Sequence, residues 1–186
     1  LKSMNFARSD GNATIMPDGN IFLNGGHSYT DLEFSVFTPE IYNPNTQTTL
    51  EMSDAYFRRN YHATSLLLPD GRILTAGGDV WNAEIFYPPY LFAKGINNKT
   101  ILAKRPQIVN LDNDIKRGEK VEIEVNGEIS KVTLISTGST THAQGSESKF
   151  RNINFTKVSN DKIEIKLDNN SNNLQNGTYL LFVLNS

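Results

Sequence analysis

The chain has 186 residues, a formal charge of −2 and no cysteine, which excludes a disulfide framework, a thiolate zinc site and a cysteine nucleophile. A hydrophobic fraction of 38%, with ten Phe and seven Tyr, is enough to build a core and excludes disorder by composition. The small negative charge, with no Lys/Arg cluster interleaved with aromatics, argues against a nucleic-acid partner, and no apolar run reaches the roughly 18–20 residues that a membrane helix needs.

The first elements form a repeat. Residues 13–26, Ala-Thr-Ile-Met-Pro-Asp-Gly-Asn-Ile-Phe-Leu-Asn-Gly-Gly, recur 52 positions later as Ser-Leu-Leu-Leu-Pro-Asp-Gly-Arg-Ile-Leu-Thr-Ala-Gly-Gly over residues 65–78. Each copy predicts a short strand, a Pro-Asp-Gly turn, a second strand and paired glycines, because Asp-Gly between apolar runs supplies the positive φ of a tight hairpin. A third strand ending in proline follows each copy, Glu40-Ile41-Tyr42-Asn43-Pro44 and Glu84-Ile85-Phe86-Tyr87-Pro88. A four-stranded unit with paired glycines and a period near 50 is the signature of a kelch propeller blade. Two units cannot close a propeller of about 4–8 blades, so the first part, residues 1–104, reads as an incomplete propeller.

Residues 93–104 are polar, with Gly and Asn, and read as a connection. From Arg105-Pro106 onward the pattern changes to short alternating strands, predicted at 120–125, 131–136, 152–158, 162–167 and 179–184. Turn residues separate them at sandwich-like spacing, which predicts an immunoglobulin-like β-sandwich over residues 105–186. No segment has a helical period, and the whole chain reads as all-β. Five Asn-x-Ser/Thr sequons, at Asn12, Asn98, Asn154, Asn169 and Asn176, are close to what an Asn-rich composition gives by chance.

Chemistry can rest on few residues. The three histidines are His27 after the first Gly-Gly, His62 after Tyr61, and His142 in the polar run Thr137-Gly-Ser-Thr-Thr-His-Ala-Gln-Gly145. A single histidine in a loop is ordinarily a surface or hydrogen-bonded residue. Tyr61-His62 stands out as a departure from the repeat, since the first copy has no tyrosine or histidine at that place, and function is grafted onto a scaffold at such departures.

Five separated stretches carry a resemblance. They are Val36-Phe-Thr-Pro-Glu-Ile-Tyr42, Tyr61-His-Ala-Thr-Ser-Leu-Leu-Leu-Pro-Asp-Gly-Arg72, Ile85-Phe-Tyr-Pro-Pro-Tyr-Leu-Phe92, Arg105-Pro-Gln-Ile108 and Gly177-Thr-Tyr-Leu-Leu-Phe-Val-Leu-Asn185. In this order, over nearly the whole chain, they resemble the carboxy-terminal part of the galactose oxidase and glyoxal oxidase family of copper radical oxidases. The resemblance implies kelch blades followed by an early-set (E-set) immunoglobulin-like domain that sends a hairpin toward the propeller axis. It implies a copper ion bound by Tyr61, His62 and His142, with Tyr61 also the base that takes the substrate hydroxyl proton. Imidazole nitrogen and phenolate oxygen suit Cu(II) in a tetragonal site. Neighbouring residues on an extended segment point to opposite faces, so Tyr61 and His62 can converge on one ion only where the backbone turns.

The expected substrates are small-molecule or carbohydrate alcohols or aldehydes with O2, giving hydrogen peroxide, in a secreted, monomeric protein. The family's radical tyrosine, cross-linked to a cysteine, is absent from this chain, as are its substrate-contacting Arg and Gln. After His142 the sequence reads Ser146-Glu-Ser-Lys149 in place of the family's acidic-Gln-Arg run. The competing readings are a non-catalytic kelch module that binds glycan or protein, and, on fold analogy alone, a structural cell-wall protein.

Overall fold

The structure, a computed structural model, describes residues 3–28, 34–111, 114–141, 144–146 and 148–185. The first Pro-Asp-Gly joins β1 (Ser9–Ile15) to β2 (Ile21–His27), and antiparallel β3 (Glu40–Asn43) and β4 (Thr48–Glu51) extend the sheet in the order β1-β2-β3-β4. The second joins β5 (Ala63–Leu67) to β6 (Ile73–Gly77), with β7 (Ala83–Phe86) as the third strand of its sheet. The same hydrogen bonds close both turns. Gly19 N donates to Met16 O at 3.0 Å and Gly71 N to Leu68 O at 2.9 Å, while Asp18 and Asp70 each accept the amide two residues on at 3.0 Å. Both glycines adopt a positive φ, 95° and 83°, which a side chain would resist.

The repeat extends to a pair of buried arginines. Arg8, its side chain 3% exposed, pairs with fully buried Glu40 at 3.0 Å and donates to the carbonyls of Gly25, at 2.7 Å, and Thr38. Arg59, 1% exposed, pairs with Glu84 at 3.3 Å and donates to the Gly77 carbonyl at 3.4 Å. In each copy one guanidinium therefore ties the first glycine of the Gly-Gly to the glutamate that opens, or lies one residue into, the third strand. The sheets share a core of Met16, Phe22, Ile41 and Ile73. Phe22 of β2 stacks on Phe86 of β7 with ring centroids 4.3 Å apart, and Thr14 Oγ1 of β1 donates to Ser65 Oγ of β5 at 2.7 Å.

The chain divides into two compact units, Leu1–Leu91 with Gly138–Lys149, and Phe92–Thr137 with Phe150–Ser186. The second unit begins with β8 (Phe92–Lys94) and β9 (Thr100–Leu102), paired antiparallel. Residues 93–104 are thus not a plain connection. Asn97 and Asn98, both at φ 59°, supply the left-handed backbone that turns the chain, a conformation asparagine tolerates. Then come β10 (Gln107–Asn110), β11 (Lys120–Asn126) and β12 (Lys131–Ser136). The next two strands, β13 (Ser139–Thr141) and β14 (Gln144–Ser146), belong to the first unit. The second unit resumes with β15 (Phe150–Ile153), β16 (Phe155–Lys157), β17 (Lys162–Lys166) and β18 (Tyr179–Leu184).

One sheet runs β10-β11-β17-β16 and the other β15-β12-β18. Alternate residues Ile123, Val125, Ile163 and Ile165 of the first sheet meet Val132 and Leu134 of the second in a single core, which makes a β-sandwich. The strand predicted at 152–158 is really two. It breaks at Asn154, and its halves pair in different sheets; a polar residue at such a crossing loses no ladder partner. No α-helix occurs among the described residues, and the all-β class expected of the sequence is what the chain adopts.

Glu40→Ala strands the buried guanidinium of Arg8, and its unfolding free energy should fall by about 3–5 kcal/mol. Lys120→Ala removes an ion pair whose side chains are 64% and 30% exposed, and should cost at most about 1 kcal/mol. Urea melts read by circular dichroism, with each substitution scored on the transition it moves, test the contrast.

Candidate functional site

Antiparallel connectivity sorts the loops of the first unit by end. The turns 16–20, 44–47 and 68–72 fall at one end of the strands, and the segments 34–39, 52–62 and 78–82 at the other. The long-loop end carries Tyr61 and His62, immediately before β5.

The preceding two residues anchor them. Arg59 and Asn60 are each 1% exposed. The Arg59 carbonyl accepts Gly26 N at 2.7 Å, and a Cβ on Gly25 would lie 2.0 Å from that oxygen, so the approach requires glycine. The Arg59 guanidinium also donates to Asn82 Oδ1 at 2.9 Å. Burial pulls its pKa below the ordinary arginine value, against the opposing effect of Glu84. Asn60 donates from Nδ2 to Ser35 Oγ at 2.9 Å, and its Oδ1 is buried without a partner among the described residues.

Ala63 N then donates to Asn60 O at 2.9 Å, closing a tight turn with Tyr61 and His62 at its two central positions. His62 has φ 62°, the left-handed region that costs a non-glycine residue roughly 1–2 kcal/mol. The turn has a visible product. Both side chains are exposed, Tyr61 by 46%, and their rings lie 3.9 Å apart between centroids with an interplanar angle of 31°. An extended backbone would have sent them to opposite faces; this turn instead brings a phenol and an imidazole together.

His142 lies outside the described residues, as do Ala143 and Glu147. The flanking strands β13 and β14 pair antiparallel. They belong to the compact unit of residues 1–91, where β14 lies beside β1 and both lie beside β5. The remaining histidine is engaged elsewhere. His27 is 8% exposed, with Nε2 3.1 Å from Asp10 Oδ2. Among the described residues no three His, Asp or Glu side chains are grouped to hold a metal ion.

Sequence reasoning missed Arg59 and Asn60. The signal was present but displaced: Arg8 and Arg59 are 51 residues apart, so the 52-residue offset sets Arg59 against Ala7.

Residues 105–186 match the family described as "Galactose oxidase-like, Early set domain". The chain is 32% identical to "Galactose oxidase" of Gibberella zeae, with 97% of this chain and 28% of that protein covered. It is 27% identical to "Aldehyde oxidase GLOX" of Vitis pseudoreticulata, over 77% of this chain and 31% of that protein. Among solved structures it is similar to a "Novel fungal alcohol oxidase with catalytic diversity among the AA5 family, in complex with copper", with a TM-score of 0.90 and 27% identity, covering 100% of this chain and 41% of that one. The chain thus spans less than a third of the length of these curated relatives.

Replacing His62 tests the turn without any metal. His62→Gly accepts the left-handed backbone freely, whereas His62→Ala keeps the strain, so the glycine variant should be about 1 kcal/mol more stable than the alanine variant. Equal denaturation midpoints at equal slope would mean the turn stores no such strain.

Proposed function

Since the chain belongs to the galactose oxidase and glyoxal oxidase family, as the carboxy-terminal part of its longer relatives, we propose that it supplies the metal-binding side of a copper radical oxidase that acts on primary alcohols or aldehydes with O2. The observation that carries this reading is the Tyr61–His62 ring pair, held by a strained turn beside the hairpin strands that flank His142. The left-handed turn belongs to the repeat, since Asp10, at the equivalent place in the first copy, has φ 56°; what the second copy adds there is the tyrosine and the histidine.

The proposed ligands are His62 and His142 through imidazole nitrogen and Tyr61 through its phenolic oxygen. Copper, when bound, would supply one-electron chemistry and polarise the alcohol oxygen; nitrogen and oxygen donors of this kind suit Cu(II). Tyr61 acts as the base: exposed at the loop end, its phenolic oxygen can reach a substrate hydroxyl and take its proton. Asn60 and Arg59 hold the pair in place by fixing the backbone from below.

The domain reading goes with this function: kelch-type blades over 1–104, and an immunoglobulin-like domain over 105–186 whose hairpin delivers His142. A secreted monomer acting on small molecules is the corresponding expectation. The alternative, a glycan- or protein-binding kelch module without catalysis, has no use for a tyrosine and histidine strained into ring contact.

Copper(II) should raise the melting temperature of the 186-residue chain. Binding to the folded state alone contributes RT ln(1 + [L]/Kd), about 2.7 kcal/mol at a hundredfold excess over Kd. His62→Ala and His142→Ala should each lose most of that response. The chain alone should make no hydrogen peroxide, since it has no cysteine for a tyrosine cross-link. In a longer protein that turns over, Tyr61→Phe should keep copper and lose the rate. Full thermal response in the His142→Ala variant would remove that residue from the ligand set.

A further inference from the structure

The single tryptophan of the chain is the most exposed large hydrophobic side chain among the described residues. Trp81 has a relative exposure of 104%, in a loop where nothing about packing explains it. An indole in water usually marks a contact surface, because large aromatics are otherwise drawn into cores or interfaces.

The loop is not loose. Its two ends are pinned to the segment that leads into Tyr61: Asp79 pairs with Arg58 at 3.6 Å, and Asn82 Oδ1 accepts from Arg59 at 2.9 Å. Between these clamps stand only Val80 and Trp81. The backbone at Gly78 passes close to Asn60 and Tyr61, with the site of a Cβ 3.4 Å from Asn60 N and 3.7 Å from Tyr61 O. Trp81 is therefore held at the same end of the strands as Tyr61, on an anchored loop.

We infer that Trp81 is the platform on which the ring of a carbohydrate substrate stacks at the approach to Tyr61. The surroundings select this occupant. A stable protein interface needs roughly 800 Å² on each side, with charged residues depleted from its centre. Here a single apolar ring is bordered by the Arg58–Asp79 pair, whose side chains are 42% and 43% exposed. A pyranose matches that arrangement. Its C–H face is weakly positive and meets the negative face of the indole, while its hydroxyls can accept from Arg58 and donate to Asp79. Trp81 is a specificity residue in this account and takes no part in the chemistry. The inference rests on the reading that substrate reaches Tyr61 from the long-loop end.

Because Trp81 is the only tryptophan, its fluorescence reports on this position alone. Methyl galactopyranoside titrated into the 186-residue chain should move the emission to the blue and saturate. Galactitol, which has the same six-carbon sugar chain and no ring, should not. Calorimetry should show binding about tenfold weaker in Trp81→Ala, a loss of about 1.4 kcal/mol, and largely kept in Trp81→Phe. No saturable shift, an equal response to galactitol, or a shift that follows protein concentration instead of sugar would each overturn the inference, the last by showing a contact between copies. Copper binding, measured separately on the same chain by thermal shift, separates the two claims. Copper without a sugar response sinks the platform alone, and a sugar response without copper sinks the oxidase reading alone.

Discussion

A buried guanidinium ties together the long-loop end of the first unit. Arg59 reaches Gly77 O, Asn82 Oδ1 and Glu84 Oε2 with its side chain, and its own carbonyl receives Gly26 N. Four separate pieces of chain thereby meet at one residue: the end of the first sheet's second strand, the segment before β5, the end of β6 and the start of β7. Asn60, the turn at Tyr61–His62 and the Trp81 loop all lie within a few residues of those attachment points. An apolar side chain of equal volume could fill the space, but it could not specify which carbonyl approaches which loop.

That distinction suits the energetics of buried charge. Desolvation takes back much of what a buried ion pair gains, so such a pair is a weak argument for stability in itself. Its geometric demands are another matter, since an arginine presents five donors in a fixed planar fork. Arg8 satisfies that fork with Glu40 and two carbonyls, whereas Arg59 places its two terminal nitrogens on Glu84, a carbonyl and an amide and keeps Nε buried without a partner among the described residues. The first copy is the drier of the two, with Glu40 fully buried where Glu84 is 21% exposed. The second copy, the wetter one, is where Tyr61 and His62 stand at the positions that Ser9 and Asp10 hold in the first.

What could be read in the sequence had local causes. Pro-Asp-Gly dictates its own turn, and both copies close with the same bonds. Strict alternation in Val121–Val125 and Lys162–Lys166 has only one use, a half-buried strand. Tyr61-His62 was legible as a break in an otherwise regular repeat. The elements that were missed depend on partners far away in sequence. Arg59 and Asn60 look like ordinary polar loop residues until the carbonyls and hydroxyl they serve are in place. The break at Asn154 is invisible to a pattern of alternation, since both halves alternate and only their sheets differ. The hairpin across residues 92–102 has strands of three residues, too short to carry a period.

The hairpin of β13 and β14 has a consequence for the order of events along the chain. Ser139 follows Ala63 by 76 residues, and the polypeptide passes from one compact unit to the other and back again to place it. Closing so long a loop brings an entropic penalty before any contact repays it, and pairings of that separation form slowly. On a ribosome β1 and β5 emerge well before the segment that must lie against them. The strand β5, which follows Tyr61 and His62, therefore spends an interval without the β13–β14 pair beside it. Docking of β13 and β14 beside β5 is thus a late event, limited by how fast a distant hairpin finds a surface already made.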